Sequence, residues 1–143
     1  MHKAPSSIHG RGSPLRANPV KTCAQRIERG LWAENAAAAY LQAQGAHILL
    51  RNYRCRCGEL DIVAQIGASE LAIVEVRTRS SDAYGGAAAS VDGGKRQRLV
   101  RAANRLLQQR KDLAQLRARF DVMVVSNLDG APQIEWIKHA FSA

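Results

Sequence analysis

Apolar positions recur along this chain in two periods, and the changes from one to the other divide it into elements. Over residues 22–44, Ile27, Leu31, Ala38 and Leu41 return near helical spacing in an Ala-rich run that Gly45 stops, which predicts a first helix. Residues 47–54 (His-Ile-Leu-Leu-Arg-Asn-Tyr-Arg) have the composition of a strand. Residues 58–79 hold two β-branched apolar runs joined by Gly67-Ala68-Ser69, the pattern of a β-hairpin. Residues 80–94, with Tyr84, Gly85, Gly86, Gly93 and Gly94, read as a loop of the kind that shifts over a bound substrate. From Lys95 onward, Leu99, Ala102, Ala103, Leu106 and Leu107 fit a second, amphipathic helix, with Arg98, Arg101 and Arg105 on an adjoining flank. Residues 119–126 are an apolar strand. The right-handed crossover rule makes it parallel to the strand that carries Glu75. A turn over 127–132 and a short last strand over 133–137 complete the order, which predicts one α/β domain over 22–143, a mixed sheet flanked by helices. Residues 1–21 combine Pro5, Pro14, Pro19, Gly10 and Gly12 with Lys3, Arg11, Arg16 and Lys21 and show no period, so they read as a disordered basic arm.

The hairpin carries charge in otherwise apolar sequence. A turn centred on Ala68 sets Asp61 opposite Glu75 and Glu59 opposite Arg77, all on one face, while Leu60, Ile62, Val74 and Val76 point the other way. Carboxylates directly opposite have Cβ atoms only about 5 Å apart and repel, so the arrangement calls for a cation between them. A divalent metal is the natural candidate. Glu34, on the Ala-rich run of the first helix, reads from spacing alone as an exposed glutamate.

Net charge changes the picture next. Twenty-one Lys and Arg against twelve Asp and Glu give +9 and a pI of about 10.2, which points to a polyanionic partner such as nucleic acid; the alternative is that the charge only keeps the protein soluble, and the placement of the charge decides between them. Arg51, Tyr53, Arg54 and Arg56 interleave basic and aromatic groups. They suit phosphate contact and base stacking, and equally the protection of an edge strand from aggregation. Lys95, in the first turn of the second helix and facing the sheet, points toward the carboxylates, where a helix N-terminus favours phosphate. Arg79, Arg96, Arg98, Arg101 and Arg105 complete the candidate nucleic-acid-binding set.

Cys23, Cys55 and Cys57 make neither a CxxC pair nor a zinc-knuckle pattern, and read as reduced cytoplasmic thiols. No apolar run approaches 18 residues and no leader precedes a small-residue cleavage site, so a soluble cytoplasmic protein with no membrane association is expected. No GxGxxG, P-loop, GxSxG or HExxH pattern is present.

Asp61, a hairpin, and then Glu75-Val76-Arg77 resemble the Asp...(Asp/Glu)-x-Lys signature of the restriction-endonuclease-like nucleases. The ordered set Gly30, Glu34, Ala37, Tyr40-Leu41, Arg51-Asn52-Tyr53-Arg54, Gly58-Glu59-Leu60-Asp61, the run from Val74 to Arg79, Tyr84-Gly85, Lys95-Arg96 and Arg119-Phe120-Asp121-Val122 is similar, more closely, to the YraN-like family of small bacterial proteins. The similarity spans nearly everything after the arm. It implies a restriction-endonuclease-like, three-layer α/β/α fold and metal-dependent hydrolysis of phosphodiester bonds in DNA rather than RNA, branched or flapped forms included. It further implies that Glu34, Asp61 and Glu75 hold Mg²⁺ or Mn²⁺, a hard cation suited to carboxylates and water. One departure stands out: Arg77 occupies the position where the family usually has Lys. Arginine stabilises charge but does not accept a proton, so Lys95 becomes the candidate for the missing amine and the catalytic set is Asp61, Glu75, Arg77 and Lys95. Two readings stand beside the enzyme: a catalytically inert nuclease-fold module that binds nucleic acid, and a structural ion-pair cluster of Asp61, Glu75 and Arg77, which the expense of buried charge disfavours.

Overall fold

The computed structural model describes residues 22–79, 91–127 and 130–143. The basic arm and most of the Gly-rich loop expected from the sequence lie outside these residues.

Helix α1 spans Cys23–Ala43, opened by a capping box in which Thr22 and Gln25 exchange side-chain to backbone hydrogen bonds. Gly45, at φ 89°, ends it in a conformation that only glycine takes cheaply. Strands β1 (His47–Cys55), β2 (Gly58–Ile66) and β3 (Glu70–Arg79) follow as an antiparallel meander. Helix α2 spans Gly93–Gln109, two residues earlier than expected because the Asp92 side chain caps it by accepting from the Lys95 amide. A four-residue α3 (Lys111–Ala114) that sequence periodicity does not reveal leads into β4 (Arg117–Ser126), and β5 spans Gln133–Phe141. The sheet order is β1-β2-β3-β4-β5, with β3 and β4 parallel along their whole length and the other neighbours antiparallel. Among the described residues no helix is long and apolar enough to cross a membrane.

Each face of the sheet carries one helical layer, which makes the expected α/β/α arrangement. Ala33, Ala37, Ala38 and Leu41 of α1 pack on Ile62, Ala64, Ala72, Val74, Met123 and Val125. Small alanines let the helix axis approach the sheet closely, and that closeness makes Glu34 a buried residue. On the opposite face Leu99, Ala102, Ala103 and Leu106 of α2 pack on Leu60, Leu71, Ile73, Phe120, Val122 and Val124. Fully burying each of these leucines contributes about 1.5–3 kcal/mol relative to exposure.

Besides the register shift between Ile48 and Leu50 in β1, two irregularities depart from simple alternation. Leu60 and Ile62, expected on one side, lie on opposite faces, Leu60 under α2 and Ile62 under α1. Their partners across β1, Tyr53 and Arg51, separate in the same way, and Asn52 between them has φ 55°. Both strands therefore break alternation at the same level, with Asn52 and Asp61 at the break. The second irregularity is in β5, which runs four residues beyond expectation. Between Phe120↔Phe141 and Val122↔Ile137 the register shifts around His139, at φ 51°, whose amide donates to Asp121 Oδ1 at 3.0 Å.

Asp121 is fully buried and accepts at Oδ2 from Arg119 Nε, Arg119 Nη2 and Trp136 Nε1, while Arg119 Nη1 reaches Glu70 at 2.8 Å. No buried side-chain polar atom in this network lacks a partner, and it ties β3, β4 and β5 together. Asp121→Ala is expected to cost about 3–5 kcal/mol, because it strands the buried Arg119 charge. The double replacement Arg119→Met with Asp121→Leu should cost less. Urea titration of the three proteins checks the order.

Candidate active site

Asp61 leaves the sheet in an unusual way. The β2–β3 ladder keeps the register expected from a turn on Ala68, from Ile66↔Glu70 to Ile62↔Val74. One residue further on, the Asp61 side chain rather than its backbone meets β3, with Oδ2 accepting from the Val76 amide at 2.9 Å. A carboxylate thus occupies the place of a ladder carbonyl and β2 turns away, while β3 stays paired with β4 as far as Arg79↔Ser126. The expected Glu59–Arg77 pair consequently does not form: Glu59 meets Arg54 instead, at 3.4 Å and well exposed.

Asp61 and Glu75 are neighbours, and Glu75 is 6% exposed. Burial first, then the Glu75 carboxylate and the more distant Glu34 charge push the Asp61 carboxyl up to about 7; the Val76 amide opposes them. The Asp61 carboxyl is therefore partly protonated at neutral pH. Glu34, buried at 7% exposure rather than free on the helix surface, accepts through Oε1 from Arg51 Nε at 3.1 Å and Asn52 Nδ2 at 2.9 Å. Arg51 also donates to Asn35 at 2.7 Å. Asn52 is a site residue that spacing did not single out, although asparagine is the non-glycine residue best able to hold a left-handed φ.

Helix α2 delivers the cation. Its capped first turn places Lys95 Nζ on Glu75 Oε1 in a close ion pair. Arg77 stands near the same helix end, where the Lys95 amide first, then Arg98, the Gly94 amide and Arg77, hold the Asp92 carboxyl below its ordinary range. A cleft of about 200 Å³ opens beside the lysine, lined by Gly58, Glu59, Glu75, Lys95, Arg98 and Leu99. Gly58 lies against Arg98 there, with a φ of 152° that side-chain-bearing residues rarely adopt.

Among the described residues no three metal-ligating side chains converge as a ready centre. The carboxylates that could serve a cation are Asp61 and Glu75, each with one oxygen engaged, by the Val76 amide and by Lys95, while one Glu34 oxygen is committed to Arg51 and Asn52. Two oxygen ligands with a partly frustrated negative charge fit Mg²⁺ or Mn²⁺, which take one or two carboxylates and complete their shell with water and substrate oxygens.

The other candidate nucleic-acid contacts divide into two groups. Tyr53 packs against the core and donates to Gln109 Oε1 at 2.7 Å; burial, then the neighbouring Cys55, raise its hydroxyl pKa. Arg96 donates to the Val91 carbonyl at 2.7 Å and lies over the Phe141 ring. Together with Arg51 and Arg54, these residues have partners within the fold. Arg98, Arg101 and Arg105 are exposed and continue from Lys95 along one edge of α2, Arg98 against Gly58 and Arg105 close to Tyr53, with exposed Arg56 in the β1–β2 turn. Arg79 ends β3, level with Ser126.

Residues 33–125 match the model of a family described as "Uncharacterised protein family UPF0102". The UPF0102 protein of Hahella chejuensis is 44% identical over 124 residues, covering 87% of this chain and 98% of its own. That of Pseudomonas aeruginosa is 43% identical over 118 residues, covering 81% and 94%. That of Dechloromonas aromatica is 45% identical over 129 residues, covering 90% and 97%. The match takes in Glu34, Asp61, Glu75, Arg77, Lys95 and the arginine edge of α2, so the whole described site lies within the shared region. On this extent of similarity, the chain belongs to the UPF0102, or YraN-like, family.

Proposed function

We propose that this protein is a divalent-metal-dependent nuclease that hydrolyses phosphodiester bonds in DNA. The observation that carries the reading is the Asp61–Glu75 pair, one carboxyl pushed up to about 7 beside another that a lysine neutralises, at the mouth of a cleft that opens onto the arginine edge of α2. A carboxyl pair held against its own repulsion is costly, and such cost concentrates where chemistry needs it.

Asp61 and Glu75 would hold Mg²⁺ or Mn²⁺, and a bound ion supplies Lewis acidity toward a phosphoryl oxygen and acidifies water. The chain's own groups do the rest. Lys95 sits within reach of any phosphate oxygen that approaches Glu75, and its ammonium stabilises charge developing there. Arg77 acts from the α2 terminus as a fixed positive charge that does not exchange protons. The Val76 amide and the Glu34–Arg51–Asn52 bonds hold the acidic groups in place. Arg98, Arg101 and Arg105 carry the phosphate backbone to the cleft. A second reading has its own support: Lys95 already neutralises Glu75, and Arg51 with Asn52 occupies Glu34, as in a module that binds nucleic acid without cutting.

Without divalent ions the folded protein keeps the Asp61 proton up to about pH 7, whereas an unfolded aspartate loses it near ~3.9. The stability from this group is therefore complete below about pH 4 and is lost as pH rises through 7. Asp61→Asn should abolish that decline and be more stable than wild type at pH 8 by about 1–3 kcal/mol. Mg²⁺ or Mn²⁺ at a hundredfold excess over Kd should stabilise wild type by about 2.7 kcal/mol, and leave Asp61→Ala and Glu75→Ala unmoved. Thermal melts at several pH values, with and without the ion, measure both effects; equal shifts in all proteins would remove the metal from the site.

Cleavage of labelled duplex, flapped, branched and single-stranded DNA with Mg²⁺ or Mn²⁺ separates the two readings. Loss of Lys95 as Lys95→Ala should lower the rate by about 10²-fold or more. Arg77→Ala should keep more of it, and Arg77→Lys should match or exceed wild type. Product from none of these proteins on any substrate decides for the binding module.

Binding itself tests the arginine edge. Replacing Arg98, Arg101 and Arg105 with Gln should weaken affinity for all sequences alike, and reduce the log-log salt slope on duplex DNA by about 0.9 for each phosphate that the protein ceases to neutralise. An unchanged slope in the triple variant moves the binding surface to Arg54 and Arg56.

A further inference from the structure

The stripe that seats α1 on the sheet continues past the point where the sheet ends. Leu41, Ala38 and Glu34 are buried, while Leu31 and Ile27, three and seven residues before Glu34 on the same stripe, are 49% and 60% exposed. Trp32, beside them, is 56% exposed. A helix rises 1.5 Å per residue, so this apolar overhang lies within about 5–10 Å of Glu34 along the α1 axis. Glu34, through Asn52 and its effect on Asp61, belongs to the acidic site. The overhang therefore borders that site on one rigid helix.

Neighbouring exposed apolar side chains, with a tryptophan among them, mark a binding surface. Its occupant follows from charge. Arg26 and Arg29 outnumber Glu28 in the same turns, and a second copy of the chain would bring another net charge of +9 to a protein that is already strongly positive. A polyanion with flat apolar groups has the complementary chemistry. Indole is the broadest aromatic face a side chain offers, and base stacking on such a face tolerates any sequence.

We propose that the α1 overhang takes an unpaired nucleobase, with Trp32 as its stacking platform and Leu31 and Ile27 as the apolar wall, when the adjoining phosphate lies at the acidic site. The inference rests on the nucleic-acid reading of that site and narrows its substrate to strands with an unstacked base next to the bound phosphate. A continuous duplex offers no such base, because its faces are already stacked.

The test uses the full chain with Ca²⁺ in place of Mg²⁺ or Mn²⁺, an oxygen-binding cation that compensates the carboxylates, with uncut oligonucleotide verified after each measurement so that hydrolysis plays no part. Fluorescein-labelled oligothymidine is bound directly and followed by anisotropy, and a long blunt duplex is measured by competition. Trp32→Ala should weaken oligothymidine binding roughly fivefold to a hundredfold and change duplex binding by less than about twofold. Trp32→Phe should restore most of the loss, which a change in folding would not allow. Equal weakening of both ligands, or no weakening of either, overturns the proposal while leaving the basic edge of α2 intact. Binding of neither oligothymidine nor duplex by wild type overturns the nucleic-acid reading together with it. A wild-type dimer in sedimentation that Trp32→Ala converts to monomer overturns it too, and assigns the overhang to a second copy.

Discussion

The bond from the Val76 amide to the Asp61 carboxylate is the constraint on which the rest of the site depends. It satisfies a buried backbone donor with a side chain where a strand carbonyl would ordinarily serve, so the sheet loses a ladder position without leaving an orphan amide. With β2 released from β3 at that level, its first residues cross toward α2, which brings Leu60 into the α2 core and Gly58 against Arg98. The cleft is the space this crossing leaves beside Glu75 and Lys95. Asn52 makes the matching turn in β1, and its side chain returns to Glu34, so the same break that frees Asp61 also orients the helical glutamate.

Asp121, fully buried, and Asp61, partly buried, show what their surroundings decide. Asp121 is surrounded by donors: two nitrogens of a buried guanidinium, an indole and a backbone amide. Such a setting gives every oxygen a donor and locks three strands together. Asp61 has one amide and two neighbours of its own sign, and its carboxyl rises to about 7. Burial acts first on that carboxyl, and the like charges of Glu75 and Glu34 add to it.

The positive charge is arranged around this acidic point and does not cancel it. Lys95 reaches into the site from the first turn of α2, while the arginines three, six and ten residues later stay in solvent along the same edge. An acidic pair at the end of a basic edge attracts a polyanion and still offers ligands for a cation at one position. Tyr53, Arg51 and Arg96, which the sequence groups with that edge, each have a partner within the fold.

Local patterns in the chain were sufficient for most of the architecture. Period 3.6 in α1 and α2, period 2 in the hairpin, the Ala68 turn and the handed crossover determined the elements, the β2–β3 register and the parallel β3–β4 pair, because each depends on neighbours in sequence or on a general steric rule. The family signature marked Asp61, Glu75 and Glu34. Nothing local showed that Glu34 is buried, that Leu60 and Ile62 separate to opposite faces, that β5 runs on to Phe141, or that Arg119 and Asp121 form a closed network. Those outcomes were decided by tertiary structure, because they depend on which donors reach a carboxylate from other strands, and a donor many residues away leaves no periodicity for the sequence to carry.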